Sequence, residues 1–231
     1  DITYHGIDTV YTYTDHTTVT YDSNGNTIDE KLADGTDYTN FDSNGDPHHV
    51  NTPAHDGQPA TSADITYHGI DTVYTYTDHT TVTYDSNGNI TDEKLADGTD
   101  YTQFDHAGNP HHVDIPPENG NPATSANITY HGNDTVYTYT DHTTVTYDNN
   151  GNTIDEKLAD GTDYTQFDSN GNPHHVNTPA HDGQPATSAD ITYHGIDTVY
   201  TYTDHTTVTY DSNGNTIDEK LADGTDYTNF D

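Results

Sequence analysis

The feature that most constrains this chain is a repeat of 63 residues. The stretch Thr9–Ile28 returns almost unchanged from Thr72, Thr135 and Thr198, and the flanking sequence returns with it. Such a period is the signature of a tandem array, so the fold must be explained one repeat at a time. The array has three complete repeats and a shorter fourth, at residues 1–63, 64–126, 127–189 and 190–231. Because it ends inside a repeat, we expect a segment of a longer array, with any targeting signal outside it.

Each repeat reads as short strands joined by turns. Thr9–Thr14 and Thr17–Tyr21 consist of Thr, Val and Tyr, which favour strands, and Asp15-His16 separates them. Asp22–Asn26 contains Asn-Gly, a strong hairpin signal. No segment has a helical period. The prediction is an all-β fold of tandem 63-residue β-hairpin repeats that form an elongated rod or fibre, with almost no helix.

The tyrosines of the first hairpin are candidates for contact. If Asp15-His16 forms a two-residue loop, Thr12 faces Val19, and Tyr11 and Tyr13 lie on the other face of the hairpin. Both faces would then carry aromatic side chains. These tyrosines serve either as core shared between repeats or as a platform for sugar rings or other chains. The predicted ligand or assembly face comprises Tyr11, Tyr13, Tyr74, Tyr76, Tyr137, Tyr139, Tyr200 and Tyr202.

The rest of the repeat contains weaker strand signals. Strands are predicted at Thr27–Leu32, Thr36–Phe41 and Pro47–Val50, the last at a sheet edge because of its proline. Asn51–Ala63 is polar and rich in Pro, and is predicted to connect repeats. Ile7 is replaced by Asn133 in the third repeat, which indicates an exposed position. The few core candidates of one repeat are Ile2, Ile7, Val10, Val19, Ile28, Leu32, Phe41 and Val50.

The charge balance excludes several partners. The chain has 40 acidic residues against 4 lysines, a formal charge of −36. Nucleic acid is excluded because phosphate binding needs Lys and Arg, and membrane insertion has no apolar run to support it. Cations are the natural counter-partners. The low aliphatic content would also permit disorder, but the strict alternation and the tyrosines argue for a fold.

The Asp-Ser-Asn-Gly-Asn loops are candidate calcium sites. Asp22, Asn24, Asn26 and Asp29 offer oxygen ligands at spaced positions, as a calcium loop does. The loop is not an EF-hand because its glycine stands fourth instead of sixth, and the alternative is a plain hairpin turn. Calcium is therefore the one candidate cofactor. The equivalent residues are Asp85, Asn87, Asn89, Asp92, Asp148, Asn150, Asn152, Asp155, Asp211, Asn213, Asn215 and Asp218.

The histidine pairs do not predict a metal site. His48 and His49 are adjacent in an expected strand, so their side chains point to opposite faces. With 17 histidines and 40 carboxylates, a response to pH is the better interpretation. The sequence has no Ser-His-Asp signature, nucleophile elbow or phosphate loop, and we therefore expect no enzyme.

Two families share motifs with the repeat. Val19-x-Tyr21, Asp22-x-x-Gly25, Ile28 and Gly35-x-x-Tyr38 resemble the repeats of lactobacillar mucin-binding surface proteins. This resemblance covers about half of each repeat, and it implies a β-rich module of a cell-wall-anchored adhesin that contacts mucus glycoproteins.

A rival resemblance rests on the turns alone. Tyr21-Asp22-x-x-Gly25 and Phe41-Asp42-x-x-Gly45, twenty residues apart, are similar to tyrosine–aspartate (RHS-type) repeats. That family implies β-hairpin sheets that spiral into shells or rods.

These observations lead to two functional hypotheses. The first is a structural stalk or adhesive repeat region of a bacterial cell-surface adhesin, which acts by extension and by multivalent weak binding to host or mucus glycans. The alternative is a subunit of an extracellular β-rich filament or biofilm matrix fibre whose chains associate on acid or calcium. Both place the chain outside the cell, with glycans or other copies of itself as partners.

Overall fold

A computed structural model of the chain describes residues 1–118, 120–228 and 230. Over these residues it contains 23 β-strands and no helix, and therefore no helix that could span a membrane. The prediction of an all-β fold built from repeated hairpins is confirmed. Residues 119, 229 and 231, which belong to a predicted connection and to the fourth repeat, lie outside the described residues.

The chain divides into two compact units, Asp1–Ala123 and Thr124–Asp231. In the first unit each strand pairs antiparallel with the next, which makes a meander. Its strands are β1 (Ile2–His5), β2 (Asp8–Thr12), β3 (Thr18–Tyr21), β4 (Thr27–Lys31), β5 (Asp37–Thr39), β6 (His49–Thr52), β7 (Thr61–His68), β8 (Asp71–Tyr76), β9 (Thr81–Tyr84), β10 (Ile90–Lys94), β11 (Asp100–Thr102) and β12 (His112–Ile115).

The second unit is a meander of the same kind. Its strands are β13 (Thr124–His131), β14 (Asp134–Tyr139), β15 (Thr144–Tyr147), β16 (Thr153–Lys157), β17 (Asp163–Thr165), β18 (His175–Thr178), β19 (Thr187–His194), β20 (Asp197–Tyr202), β21 (Thr207–Tyr210), β22 (Thr216–Lys220) and β23 (Asp226–Thr228).

The turn between β2 and β3 has three residues, Thr14, Asp15 and His16, one more than the sequence predicted, because Tyr13 and Thr17 are still joined by a hydrogen bond. The Tyr13 amide donates to the Thr17 carbonyl at 2.9 Å, and the His16 amide donates to the Tyr13 carbonyl at 3.1 Å. His16 has a φ of 74°, the left-handed conformation that closes a three-residue hairpin loop. Tyr11 therefore lies opposite Val19, and the predicted pairing of Thr12 with Val19 is wrong.

This shift of one residue changes which side chains share a face, because strand side chains alternate. One face, the tyrosine face, carries Tyr11, Val19, Glu30, Tyr38, Val50 and Ala63 in successive register. The other, the polar face, carries Thr and charged side chains together with Val10, which lies opposite Thr20. The expectation of aromatic residues on both faces of the hairpin is wrong, because Tyr11 and Tyr21 both lie on the tyrosine face, where their rings are in contact.

A β-bulge interrupts the pairing of β3 with β4. Tyr21 pairs with Thr27 and Thr20 with Asp29, which leaves Ile28 as the extra residue, 39% exposed. Ile28 was predicted to be a core residue and instead is exposed. The bulge also explains why the second repeat tolerates the reversed order Ile90-Thr91, since Ile90 then takes the paired position opposite Tyr84.

The core is small and is shared between neighbouring repeats. Val50 and Ala63 of the first repeat cluster with Ile65 of the second, and Tyr74 and Tyr76 pack against them. In the second unit the same cluster forms from Val176, Ala189 and Ile191, with Tyr164, Tyr200 and Tyr202. Stacked repeats that share a core stabilise one another.

Strands continue through the sequence boundaries of the repeats. Thr61–His68 is one strand across the 63/64 boundary, so the last three residues of the predicted connection belong to β7. The remaining connection contains a tight turn in which Asp56 and Gly57 both have positive φ, as an Asp-Gly hairpin turn requires. β6 pairs with both β5 and β7, so the expectation of an edge strand after Pro47 is wrong.

Candidate functional site

Open aromatic grooves recur on the tyrosine face. In the first repeat a groove of about 440 Å³ is lined by Tyr11, Tyr13 and Tyr21 and by Asp22 and Ser23 of the following turn. The fourth repeat has the equivalent groove, about 650 Å³, lined by residues that include Tyr200, Tyr210, Asp211 and Ser212. An aromatic wall beside hydrogen-bonding groups is suited to stacking on a sugar ring or another flat ligand.

An edge-to-face pair of tyrosines forms one wall of these grooves. The ring centroids of Tyr11 and Tyr21 lie 5.5 Å apart with an interplanar angle of 87°. The other three repeats contain the same contact at 5.4–5.5 Å, between Tyr74 and Tyr84, Tyr137 and Tyr147, and Tyr200 and Tyr210. Such pairs contribute about 0.5–1.5 kcal/mol beyond the area that they bury, so the contact favours this arrangement of the two rings.

The eight predicted face tyrosines differ in exposure. Tyr11 and Tyr13 are 38% and 50% exposed, whereas their six equivalents in the later repeats are half-buried. Burial raises the pKa of Tyr74 and Tyr76, and burial together with neighbouring tyrosines raises the pKa of Tyr200 to about 12. Four of the later tyrosines therefore pack against the core clusters, namely Tyr74, Tyr76, Tyr200 and Tyr202, and Tyr200 also lines a groove. A ligand or assembly role for this face stays a prediction.

The aspartate turns are closed by their own hydrogen bonds. Asp22 Oδ1 accepts from the Asn24 amide at 2.8 Å and the Asn26 amide at 2.9 Å, and Asn26 Nδ2 donates to Oδ2 at 2.9 Å. The equivalent backbone bonds form at Asp85 with Asn87 and Asn89, at Asp148 with Asn150 and Asn152, and at Asp211 with Asn213 and Asn215. This network favours the turn interpretation, because the asparagine donors already occupy the carboxylate.

The fourth predicted calcium ligand lies elsewhere. Asp29 is on the polar face opposite Thr20, beside Asp37 of the next strand. Burial, then the charge of Asp37 and a hydrogen bond with it, raise the pKa of Asp29. Asp92 and Asp155 have the equivalent partners and the same shift, and Asp218 holds the equivalent register position opposite Thr209.

No group of three or more His, Cys, Asp or Glu that could hold a metal forms among the described residues. The residues predicted for calcium therefore divide into turn residues and polar-face residues. Calcium binding stays a prediction.

The hydrogen bonds of the turns make them sensitive to acid. Bonds from Asn89 lower the pKa of Asp85 to about 2, below its ordinary 3.8. A lowered folded pKa contributes stability that is present above the unfolded pKa and is lost as the pH falls through the folded value. We therefore expect Asp85→Ala to lower the Tm at about pH 6 and the deficit to shrink between about pH 4 and about pH 2.

Far-UV circular dichroism melts across that pH range test this. Ser86→Ala, in the same exposed turn, is the matched control and is expected to melt like the parent chain. A deficit for Asp85→Ala that stays constant down to about pH 2 would contradict the role of the carboxylate.

The two histidines of the pair His48 and His49 lie on different elements and have separate partners. His48 precedes β6, and its Nδ1 lies 3.0 Å from the Ile65 carbonyl oxygen while its ring packs edge-on against Tyr67. His49 is on the polar face, where its Nδ1 lies 2.8 Å from Asp64 Oδ1 and its Nε2 3.1 Å from Ser62 Oγ. The side chains of His48 and His49 therefore point to opposite faces, as the sequence predicted.

The cluster of Ser62, His49 and Asp64 was not predicted from the sequence. It recurs at Ser188, His175 and Asp190, with distances of 3.1 and 2.9 Å. The sequence Ser62-Ala63-Asp64 could have predicted part of the cluster, because Ser62 and Asp64 are alternate residues of a strand and therefore lie on one face. The histidine could not be added without the register that pairs β6 with β7.

Comparisons with known proteins do not assign the chain to a family. No family model matches the chain, and no curated protein matches it. Among solved structures, it is similar to the TCP10 domain of Danio rerio CPAP in complex with a STIL peptide, with 14% identity, 96% of this chain and 98% of that chain covered, and a TM-score of 0.28.

Two further solved structures show similarity at the same low level. BamB from Moraxella catarrhalis has 11% identity over 98% of this chain and 94% of its own, with a TM-score of 0.21. TcdB2-TccC3 has 12% identity over 91% of this chain and 14% of its own, with a TM-score of 0.25. At these TM-scores none of the three carries an argument about this chain.

Proposed function

We propose that the chain is the structural and adhesive repeat region of a bacterial cell-surface adhesin, which extends from the cell and binds host or mucus glycans weakly at several equivalent sites. The observation that carries the proposal is the recurrence of one aromatic groove beside a polar turn in the first and fourth repeats. Weak sites on one chain gain strength because, after the first contact, later contacts are intramolecular.

Three further features support this function. The charge of −36 keeps neighbouring chains apart and soluble. The core shared by adjacent repeats favours a stalk that resists bending over independent beads. The resemblance of Val19-x-Tyr21 and the following turns to mucin-binding repeats supports mucus glycans as the ligand class and an extracellular location.

The test is binding of the full chain to immobilised mucin, measured by surface plasmon resonance. Tyr11→Ala with Tyr13→Ala removes the aromatic wall of one groove at two exposed positions, so the fold should survive. Losing one of several linked sites is expected to raise the dissociation rate several-fold. Tyr227→Ala is the matched control, because Tyr227 is 49% exposed and does not line a described groove. Equal dissociation of the three proteins, or no binding by any, would contradict the adhesive part of the proposal.

The second candidate is the filament subunit. The observation that favours it is the charge of −36, because acid or calcium would weaken the repulsion that opposes association of such chains. Size-exclusion chromatography and electron microscopy, at about pH 7 and about pH 4.5 and with or without calcium, separate the two. Monomers throughout support the stalk, and long multichain fibres support the filament.

A further inference from the structure

The polar face carries a second kind of site, separate from the aromatic grooves. Ser62, His49 and Asp64 are joined by hydrogen bonds in the first unit, as are Ser188, His175 and Asp190 in the second. A carboxylate can only accept a hydrogen bond, so it fixes the proton of each histidine on Nδ1. Nε2 is then free to accept the serine proton. This is the tautomer and orientation that a nucleophilic serine needs.

The register adds a fourth residue to each cluster. Asn51 lies directly opposite Ser62, and Asn177 directly opposite Ser188. Residues directly opposite each other in an antiparallel pair share a face, with Cβ atoms about 4.5–5.5 Å apart. A side-chain amide next to the nucleophile can donate to the oxyanion that forms when an ester carbonyl is attacked.

The groove at this position can accept a small substrate. In the second unit a groove of about 270 Å³ is lined by His175, Ser188 and Asp190 together with Thr201 and Thr203. Its size suits a short acyl group. His175 is 23% exposed and Asp190 74% exposed, so the imidazole is sheltered while the carboxylate reaches water.

We propose that Ser62 and Ser188 are nucleophiles that cleave short-chain carboxylic esters. Ser62 Oγ bonds to the ester carbonyl carbon as its proton passes to His49 Nε2. The C–O bond to the alcohol then breaks, and the alcohol leaves with that proton. Water attacks the acyl-serine in the same way, which releases the carboxylic acid and restores the Ser62 hydroxyl. The exposed carboxylate is screened by solvent, so turnover is slow.

The test is labelling of the full chain with a fluorophosphonate, in which an Oγ–P bond forms and fluoride leaves. Trypsin then yields peptides ending at Lys94 and Lys220, which carry Ser62 and Ser188, and fragmentation of the first separates Ser62 from the exposed turn residue Ser43. Ser62 and Ser188 are expected to react at least about 10²-fold faster than Ser43, because an oxyanion donor and a correctly oriented histidine each contribute at least that factor. His49→Gln is expected to abolish labelling of Ser62 and leave Ser188 unchanged.

Hydrolysis of p-nitrophenyl acetate by the same proteins should follow the labelling. Equal labelling of Ser62 and Ser43 in the parent chain would overturn the proposal. So would unchanged labelling of Ser62 in the His49→Gln variant.

Discussion

Replacing Ile65 with Ala is expected to lower the free energy of unfolding by about 2–5 kcal/mol. Ile65 is 1% exposed and lies in the cluster that joins the first two repeats, with Val50 and Ala63 beside it and Tyr74 packed against it. A core this small has few side chains that could move to fill the space left behind. The lost transfer energy and the cavity therefore both contribute.

Ile70 is the matched control for this experiment. It lies between β7 and β8, close to Ile65 in sequence, but is 75% exposed. Ile70→Ala is expected to change stability by less than about 0.5 kcal/mol. Urea unfolding followed by far-UV circular dichroism measures both variants. Equal midpoints for Ile65→Ala and Ile70→Ala would show that the cluster does not join the repeats.

Gly35→Ala is also expected to produce a large loss of stability, through two separate causes. Gly35 has a φ of +91°, which costs a residue with a Cβ about 1–2 kcal/mol. In addition, a Cβ at this position would lie 3.2 Å from Pro53 Cγ, so this proline ring, which follows β6 directly, would have to shift by a few tenths of an ångström. Overpacking of this kind adds about 1–3 kcal/mol.

Gly25→Ala separates the two causes. Gly25 has a φ of +85° in a loop of the same three-residue kind, but nothing lies within 4 Å of its Cβ position. Its loss should therefore contain the backbone cost alone, and Gly98→Ala, with Pro116 at 3.4 Å, should fall between the two. Thermal melts of the three variants rank them. An equal shift for Gly25 and Gly35 would contradict the contact with Pro53.

Much of the fold could be predicted because it depends on local chemistry. The 63-residue period defined the array, and the Thr, Val and Tyr runs predicted β2, β3 and their equivalents. The Asp-x-x-Gly turns were predicted because glycine accepts the positive φ that closes a hairpin. The replacement of Ile7 by Asn133 indicated an exposed position, and the structure confirms it at 77%, so the inclusion of Ile7 among the core candidates is wrong.

The candidate sites were predicted only in part, because they depend on residues distant in sequence. Asp22, Asn24 and Asn26 come together within one turn, whereas Asp29 lies on the polar face beside Asp37 of another strand. The Ser62 cluster needs a histidine thirteen residues away, which only the pairing of β6 with β7 brings into contact.

The sequence by itself determined that this is a tandem all-β array, strongly acidic, with turns at the Asp-x-x-Gly positions. It did not determine the hairpin register, because Asp15-His16 is compatible with a two-residue loop and with a three-residue one. In the tertiary structure the turn has three residues, and His16 adopts the left-handed conformation. Because strand side chains alternate with a period of two, the one additional turn residue places Tyr11 and Val19 on the same face. Farther along this face, Val50 and Ala63 of one repeat are buried with Ile65 of the next.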